Sequence, residues 1–185
     1  MKTPETKPAF WAFILTIILM ACQPSSEQSS NFESATDMVA SAKSQIVELT
    51  VEDFKSMMDE EEMYVLVDVR SKGEFESGYI AGAVNIPRGF LEFWINRESF
   101  WDGEGMYVPL KEDKLILSCR SGNRSALAAL TLQNMGFENV YSLQGGWTAW
   151  QQAYPELTNS VVSQAAGTTP TEATSGQEEE DVGGC

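Results

Sequence analysis

The chain has 185 residues, 43% hydrophobic and 21% charged, enough for one domain of ordinary size with tails beyond its core. Its formal net charge of −15 opposes attraction to DNA, RNA or anionic lipid and argues against a nucleic-acid role. It holds no histidine, which removes Ser-His-Asp and Cys-His nucleophile arrangements and imidazole zinc sites, and its three cysteines, Cys22, Cys119 and Cys185, are too few and scattered for a disulfide scaffold or a cysteine-rich metal site.

Lys2 and Lys7 precede the apolar run Ala9 to Met20, too short for a membrane-spanning helix of about 20 residues but of the length of a secretory leader core. The next residues, Leu19-Met20-Ala21-Cys22, resemble the lipobox of bacterial lipoproteins, in which the cysteine receives a diacylglycerol and becomes the mature N-terminus. Residues 1–21 are therefore expected to be a signal peptide and Cys22 a lipidated anchor on a periplasm-facing membrane. Gln23 after the cysteine implies outer-membrane sorting in a Gram-negative host. Met20 departs from the usual small or β-branched residue, so an ordinary cleaved signal and a soluble periplasmic protein stand as the alternative. Residues 22–44, rich in Ser, Gln, Asn and Glu, read as a flexible tether.

A folded core is expected over residues 45–154. A short strand at Ile46 to Leu49 leads to a helix whose N-cap is Thr50, with Asp53 three residues on. Tyr64-Val65-Leu66-Val67-Asp68 is a continuous apolar run ending in an acid, the pattern of a parallel strand buried on both faces. Ser71 with Glu74 caps a helix, and Ala83 to Ile86 reads as a strand closed by Pro87. Between Pro87 and Lys111 lies an aromatic insertion containing Phe90, Phe93, Trp94, Phe100, Trp101 and Tyr107. It reads either as packing over a sheet edge or as a lid or partner surface. Lys114 to Ser118 is a fourth strand, followed by a helix from Ser125 that Gly136 stops. Val140 to Ser142 is the fifth strand, and Gly145-Gly146 turns into a last helix ending before Pro155. Strands alternating with helices at these intervals predict an α/β domain with a parallel sheet. Residues 155–185, with the acidic run Glu178 to Asp181, read as a disordered tail.

The loop Cys119-Arg120-Ser121-Gly122-Asn123-Arg124-Ser125 places a thiol where a buried strand ends and a helix begins. Backbone N–H groups and the helix dipole converge on negative charge at such a point, and arginines on either side favour the thiolate. Cys119 is thus a candidate nucleophile; alone, it would read equally well as an inert buried cysteine.

Asp68-Val69-Arg70, Glu74-Phe75, Gly78-Tyr79-Ile80-Ala81-Gly82-Ala83-Val84-Asn85-Ile86-Pro87, the Cys119 loop and Gly145-Gly146-Trp147-Thr148-Ala149-Trp150 together resemble the single-domain rhodanese family across the whole core. The resemblance implies a five-stranded parallel sheet with helices on both faces and a sulfurtransferase. In that family's chemistry Cys119 takes a sulfane sulfur from a small sulfur-containing anion such as thiosulfate. It then passes the sulfur to cyanide, a thiol or a protein acceptor, without metal or organic cofactor. Residues Arg120, Ser121, Gly122, Asn123, Arg124 and Ser125 would hold the persulfide, with Asp68 and Arg70 supporting the loop as an ion pair. Tyr79 stands where the family usually has histidine.

The stretch Pro87-Arg88-Gly89-Phe90-Leu91-Glu92-Phe93 resembles a secreted or membrane-tethered subgroup, and Arg88 is a candidate for drawing in the anionic donor. Phosphatases and arsenate reductases of this architecture use Cys-x5-Arg, whereas here Arg124 follows Cys119 with four residues between, a cradle suited to one terminal sulfur. An oxyanion-processing enzyme and a non-catalytic binding module remain the alternatives. Cys185 reads as a resolving thiol, a disulfide partner or a residue without a role.

Overall fold

The computed structural model describes residues 31–159; the leader, Cys22 and the rest of residues 22–30 of the expected tether, Cys185 and the acidic run lie outside them. Among the described residues the chain runs through α1 (Ala35–Lys43), β1 (Val47–Leu49), α2 (Val51–Asp59), β2 (Val65–Asp68), α3 (Lys72–Glu76), β3 (Tyr79–Ile80) and β4 (Val84–Asn85). A 3-10 turn (Arg88–Phe90) then leads to α4 (Leu91–Trp94), α5 (Glu98–Glu104), β5 (Lys114–Ser118), α6 (Asn123–Asn134), β6 (Asn139–Leu143) and α7 (Gly146–Ala153). A second 3-10 turn (Pro155–Leu157) precedes β7 (Thr158–Asn159). No helix among the described residues is long and apolar enough to cross a membrane.

Local chemistry sets the element starts. Thr50 Oγ1 accepts the Asp53 N–H at 3.0 Å to open α2, and Ser71 and Glu74 exchange side-chain and backbone bonds in a capping box that opens α3. The five main strands are all parallel in the order β1-β6-β5-β2-β4. From β2 the chain winds toward one edge, and from β5 toward the other. The sheet's topological switch point therefore lies between β2 and β5, where ligands bind beyond the strands' carboxyl ends. Register places Asp68 level with Ser118, so Arg70 and the Cys119 loop leave the sheet side by side.

Strand alternation divides the core into two layers. Val65, Val67, Leu115, Leu117 and Cys119 face a cluster with Leu91, Ile95 and Trp101 of the insertion and Ala128, Ala129 and Leu132 of α6. Leu66 and Ile116 face the opposite cluster, built on Phe54 of α2 and Trp150 of α7. Every residue of β2 is buried, as its unbroken apolar run requires. The insertion is packed on this core: the Trp101 side chain is fully buried and its indole N–H donates to the Ile95 carbonyl at 2.8 Å. Stacked Phe90 and Trp94 continue the aromatic layer outward, and Phe93 remains exposed.

Two expected boundaries move. The tether predicted over residues 22–44 ends in α1: Ser34 accepts the Asp37 N–H at its N-cap, and Ala42 is fully buried, small enough to let the helix approach the domain. A polar composition concealed this because the helix is held by tertiary contacts, buried Ala42 and the Lys43–Glu48 pair among them, that a local average does not register. At the other end, residues 157–159 do not belong to an unstructured tail. The Leu157 carbonyl accepts from Ala81 N–H, and β7 pairs antiparallel with β3.

Candidate active site

The site is assembled at the carboxyl end of β5. Cys119, a free thiol only 1% exposed, follows the last strand residue, and the chain then doubles back through Gly122 at φ +89° to start α6. The Gly122 N–H donates to Cys119 Sγ at 3.2 Å and the Ser125 hydroxyl points to the same sulfur at 3.5 Å. Ser125 is held in turn by Ser142 of β6, hydroxyl to hydroxyl at 2.8 Å. Because Gly122 supplies no side-chain cap, the first-turn amides of α6 stay open to an anion on the sulfur.

The loop is fixed from behind by the start of α7. Trp147 N–H donates to the Cys119 carbonyl at 2.7 Å and Thr148 N–H to the Arg120 carbonyl at 3.0 Å. With the Cys119 and Arg120 carbonyls turned toward α7, the loop presents the Gly122 N–H toward the thiol. Gly146, at φ +56°, is pressed so tightly on this turn that a Cβ there would stand 2.2 Å from the Cys119 oxygen.

The two loop arginines have different surroundings. Arg124 makes a fork of two bonds to Glu74 of α3, at 2.9 and 2.8 Å, and this pairing holds the Glu74 carboxyl at about 2, well below its ordinary 4.5. The same pairing raises the Arg124 guanidinium above its usual value. Arg120 is exposed and makes no ion pair among the described residues. Ser121 and Asn123 are exposed on the loop.

Asp68 and Arg70 form a pair that is 1–2% exposed, with Arg70 NH2 2.6 Å from Asp68 Oδ2 and also donating to the Gly78 carbonyl at 2.6 Å. The Arg70 guanidinium lies over the Trp147 ring, 4.9 Å from its centroid, so it braces the residue whose N–H anchors Cys119. Arg88 is not brought to the loop. Its guanidinium bonds Glu92 at 2.6 Å and Thr131 at 2.8 Å, and Thr131 lies two turns along α6 from Arg124. A depression of about 220 Å³ opens beside the loop, lined by Arg70, Glu74, Ser77, Arg120 and Trp147. No group of three or more metal-ligating side chains is found among the described residues.

Glu74 and the Gly146-Trp147 turn are site residues that the sequence reading did not assign to the loop. Glu74 could be read from the sequence only as an acid within a capping box; its place beside Arg124 comes from the fold. The amides of Trp147 and Thr148 had no signal beyond a double glycine opening a helix.

The fold and this loop define a parallel α/β domain with a thiol held at an anion site. The chain belongs to the rhodanese-like domain family, whose profile matches residues 50–153. It is 36% identical over 88 residues to a protein of Schizosaccharomyces pombe named putative thiosulfate sulfurtransferase, mitochondrial, spanning 46% of this chain and 62% of that one. Solved structures that share the fold include two of note. The human single-domain sulfurtransferase TSTD1 has a TM-score of 0.53 at 27% identity, covering 57% of this chain and 95% of that one. A Rhodopseudomonas palustris protein of unknown function, described as a possible tyrosine phosphatase, has a TM-score of 0.57 at 34% identity, covering 71% and 96%.

Proposed function

We propose that the protein is a sulfurtransferase acting through a Cys119 persulfide. The observation that carries this reading is the Gly122 N–H aimed at Cys119 Sγ at 3.2 Å, inside a six-residue loop closed by Arg124. The Cys119 thiolate attacks the outer sulfur of thiosulfate or a related donor. The sulfur–sulfur bond of the donor breaks, its electron pair leaves with sulfite, and the new bond gives an anionic Cys119 persulfide. A nucleophilic acceptor such as cyanide or a thiol then takes the terminal sulfur and returns the thiolate. Arg120, the loop cation without a carboxylate partner among the described residues, meets the donor, and the loop amides with the Ser125 hydroxyl hold the persulfide charge. The names of the similar proteins support a sulfurtransferase. The phosphatase reading suggested by the Rhodopseudomonas description sits less well with this loop, where four residues separate Cys119 from Arg124.

The leader-like segment and Cys22 support an exported protein tethered to a membrane by lipid, which loss of fatty-acid labelling in Cys22→Ala would test. For the reaction, the full chain is incubated with thiosulfate and weighed intact while thiocyanate release to cyanide is followed. A gain of one sulfur mass, absent in Cys119→Ala, with turnover, is the expected result. A folded, reduced protein that gains no sulfur from thiosulfate, polysulfide or an organic persulfide would overturn the proposal.

A further inference from the structure

Helix α1 precedes the segment that matches the family, yet its last residue reaches the sulfur loop. Lys43 Nζ donates to Glu48 Oε1 at 2.8 Å, with both side chains about three-quarters buried. The same ammonium lies 3.8 Å from where a Cβ on Gly122 would stand. No carboxylate oxygen is nearer to that point, so the positive end of the pair is the one turned to the loop. Glu48 is in register with Ser142 on the neighbouring strand, so its side chain shares the sheet face from which Ser142 holds Ser125 and Ser125 points to the sulfur. Lys43 also lines, with Asn123 and Arg124, a groove of about 490 Å³ between α1 and α6.

We propose that Lys43 is a positioning residue for the Cys119 chemistry: oriented by Glu48, its ammonium sits over the Gly122 turn and favours the anionic sulfur, first as thiolate and then as persulfide. The inference rests on the sulfurtransferase reading for its purpose, though the charge effect itself does not need a donor. The other charges packed around the loop are Arg120 and Arg124 on the loop and α6, Glu74 on α3, and Asp68 and Arg70 at the end of β2. Of the cations, Arg124 is bound to Glu74 and Arg70 to Asp68, whereas Lys43 comes from α1 with its partner Glu48 on β1. Lys43 and Glu48 have opposite charges at unequal distances from the Gly122 turn, so removing one or the other must move the sulfur's proton affinity in opposite directions.

The test uses the full chain and Lys43→Met, Lys43→Arg and Glu48→Gln. The pH dependence of Cys119 alkylation by iodoacetamide is followed by peptide mass mapping, which separates Cys119 from Cys22 and Cys185, and persulfide formation from thiosulfate is timed in parallel. Lys43→Met is expected to raise the alkylation midpoint by roughly half a pH unit and Glu48→Gln to lower it, with Lys43→Arg close to wild type. Midpoints that move the same way in Lys43→Met and Glu48→Gln, as simple loosening of α1 would cause, or that do not move, would overturn the inference. A wild-type protein that alkylates normally but accepts no sulfur would overturn the proposed reaction instead, and the midpoints would still decide the role of Lys43.

Discussion

Replacing Gly146 by alanine tests how the loop is held. The added Cβ would stand 2.2 Å from the Cys119 oxygen and 3.0 Å from its carbonyl carbon. Carbon normally rests about 3.3 Å or more from a carbonyl oxygen, so the loop and α7 must separate by about 1 Å. That separation weakens the bonds from Trp147 and Thr148 to the Cys119 and Arg120 carbonyls, each contributing about 1 kcal/mol. The left-handed backbone at φ +56° adds roughly 1–2 kcal/mol for any residue with a Cβ. A loss of about 3–4 kcal/mol is expected, together with a fall in persulfide formation on the order of 100-fold, since a 1 Å displacement of a reacting group has that scale of effect. Urea unfolding followed by tryptophan fluorescence and single-turnover sulfur transfer measure the two effects. Gly136→Ala is the control, because Gly136 is also left-handed at φ +87° but has nothing within 4 Å of its added Cβ. A Gly146→Ala protein no less stable than Gly136→Ala, with transfer within twofold of wild type, would refute the argument that α7 fixes the loop.

Ser125→Ala should cost about 1–3 kcal/mol in chemical denaturation, because it leaves the buried Ser142 hydroxyl without its partner, and should slow persulfide formation. The Glu74 carboxyl titrates at about 2 in the folded protein against an ordinary 4.5, so its stabilising effect is complete above about 4.5 and lost as pH falls through 2. Wild type should therefore exceed Glu74→Gln in unfolding free energy from urea titration at pH 7 by a modest margin, about 1 kcal/mol or less for a pair this exposed, and the gap should close near pH 2. Arg88→Ala should leave the donor Michaelis constant unchanged and alter stability by about 1 kcal/mol or less, since its guanidinium serves Glu92 and Thr131; an elevated donor constant would return Arg88 to the site.

Much of the fold is readable because its strands are buried on both faces. Tyr64 to Asp68 and Lys114 to Ser118 have no polar alternation to suggest an exposed surface, and both lie in the centre of the sheet. The Cys119 loop is likewise local: strand end, thiol, arginines and a glycine stand within seven residues. What the sequence conceals is what depends on distant partners. Glu74 reads as half of a capping box, and it is, but Oε2 accepts from Ser71 and from Arg124, fifty positions away. Arg124 therefore does not stand as the free cation its place in the loop suggests. Arg88 carries the same charge as the loop arginines, and nothing local reveals that α6 takes it away from them. The start of α1 was in principle legible, as Ser34 and Asp37 have the spacing of a cap, but an average over a polar stretch hides one short helix.

The grip of α7 on the backs of Cys119 and Arg120 also imposes an order on how the site comes into being. Cys119 is synthesised before the Trp147 and Thr148 amides that hold the back of its loop. Until Trp147 and Thr148 have left the ribosome and folded back, the loop has no anchor behind it, and its thiol is that of an unstructured chain, open to oxidation or to mispairing with another cysteine. Competence for chemistry thus waits on α7, and damage anywhere along that helix would reach the sulfur through the backbone it holds.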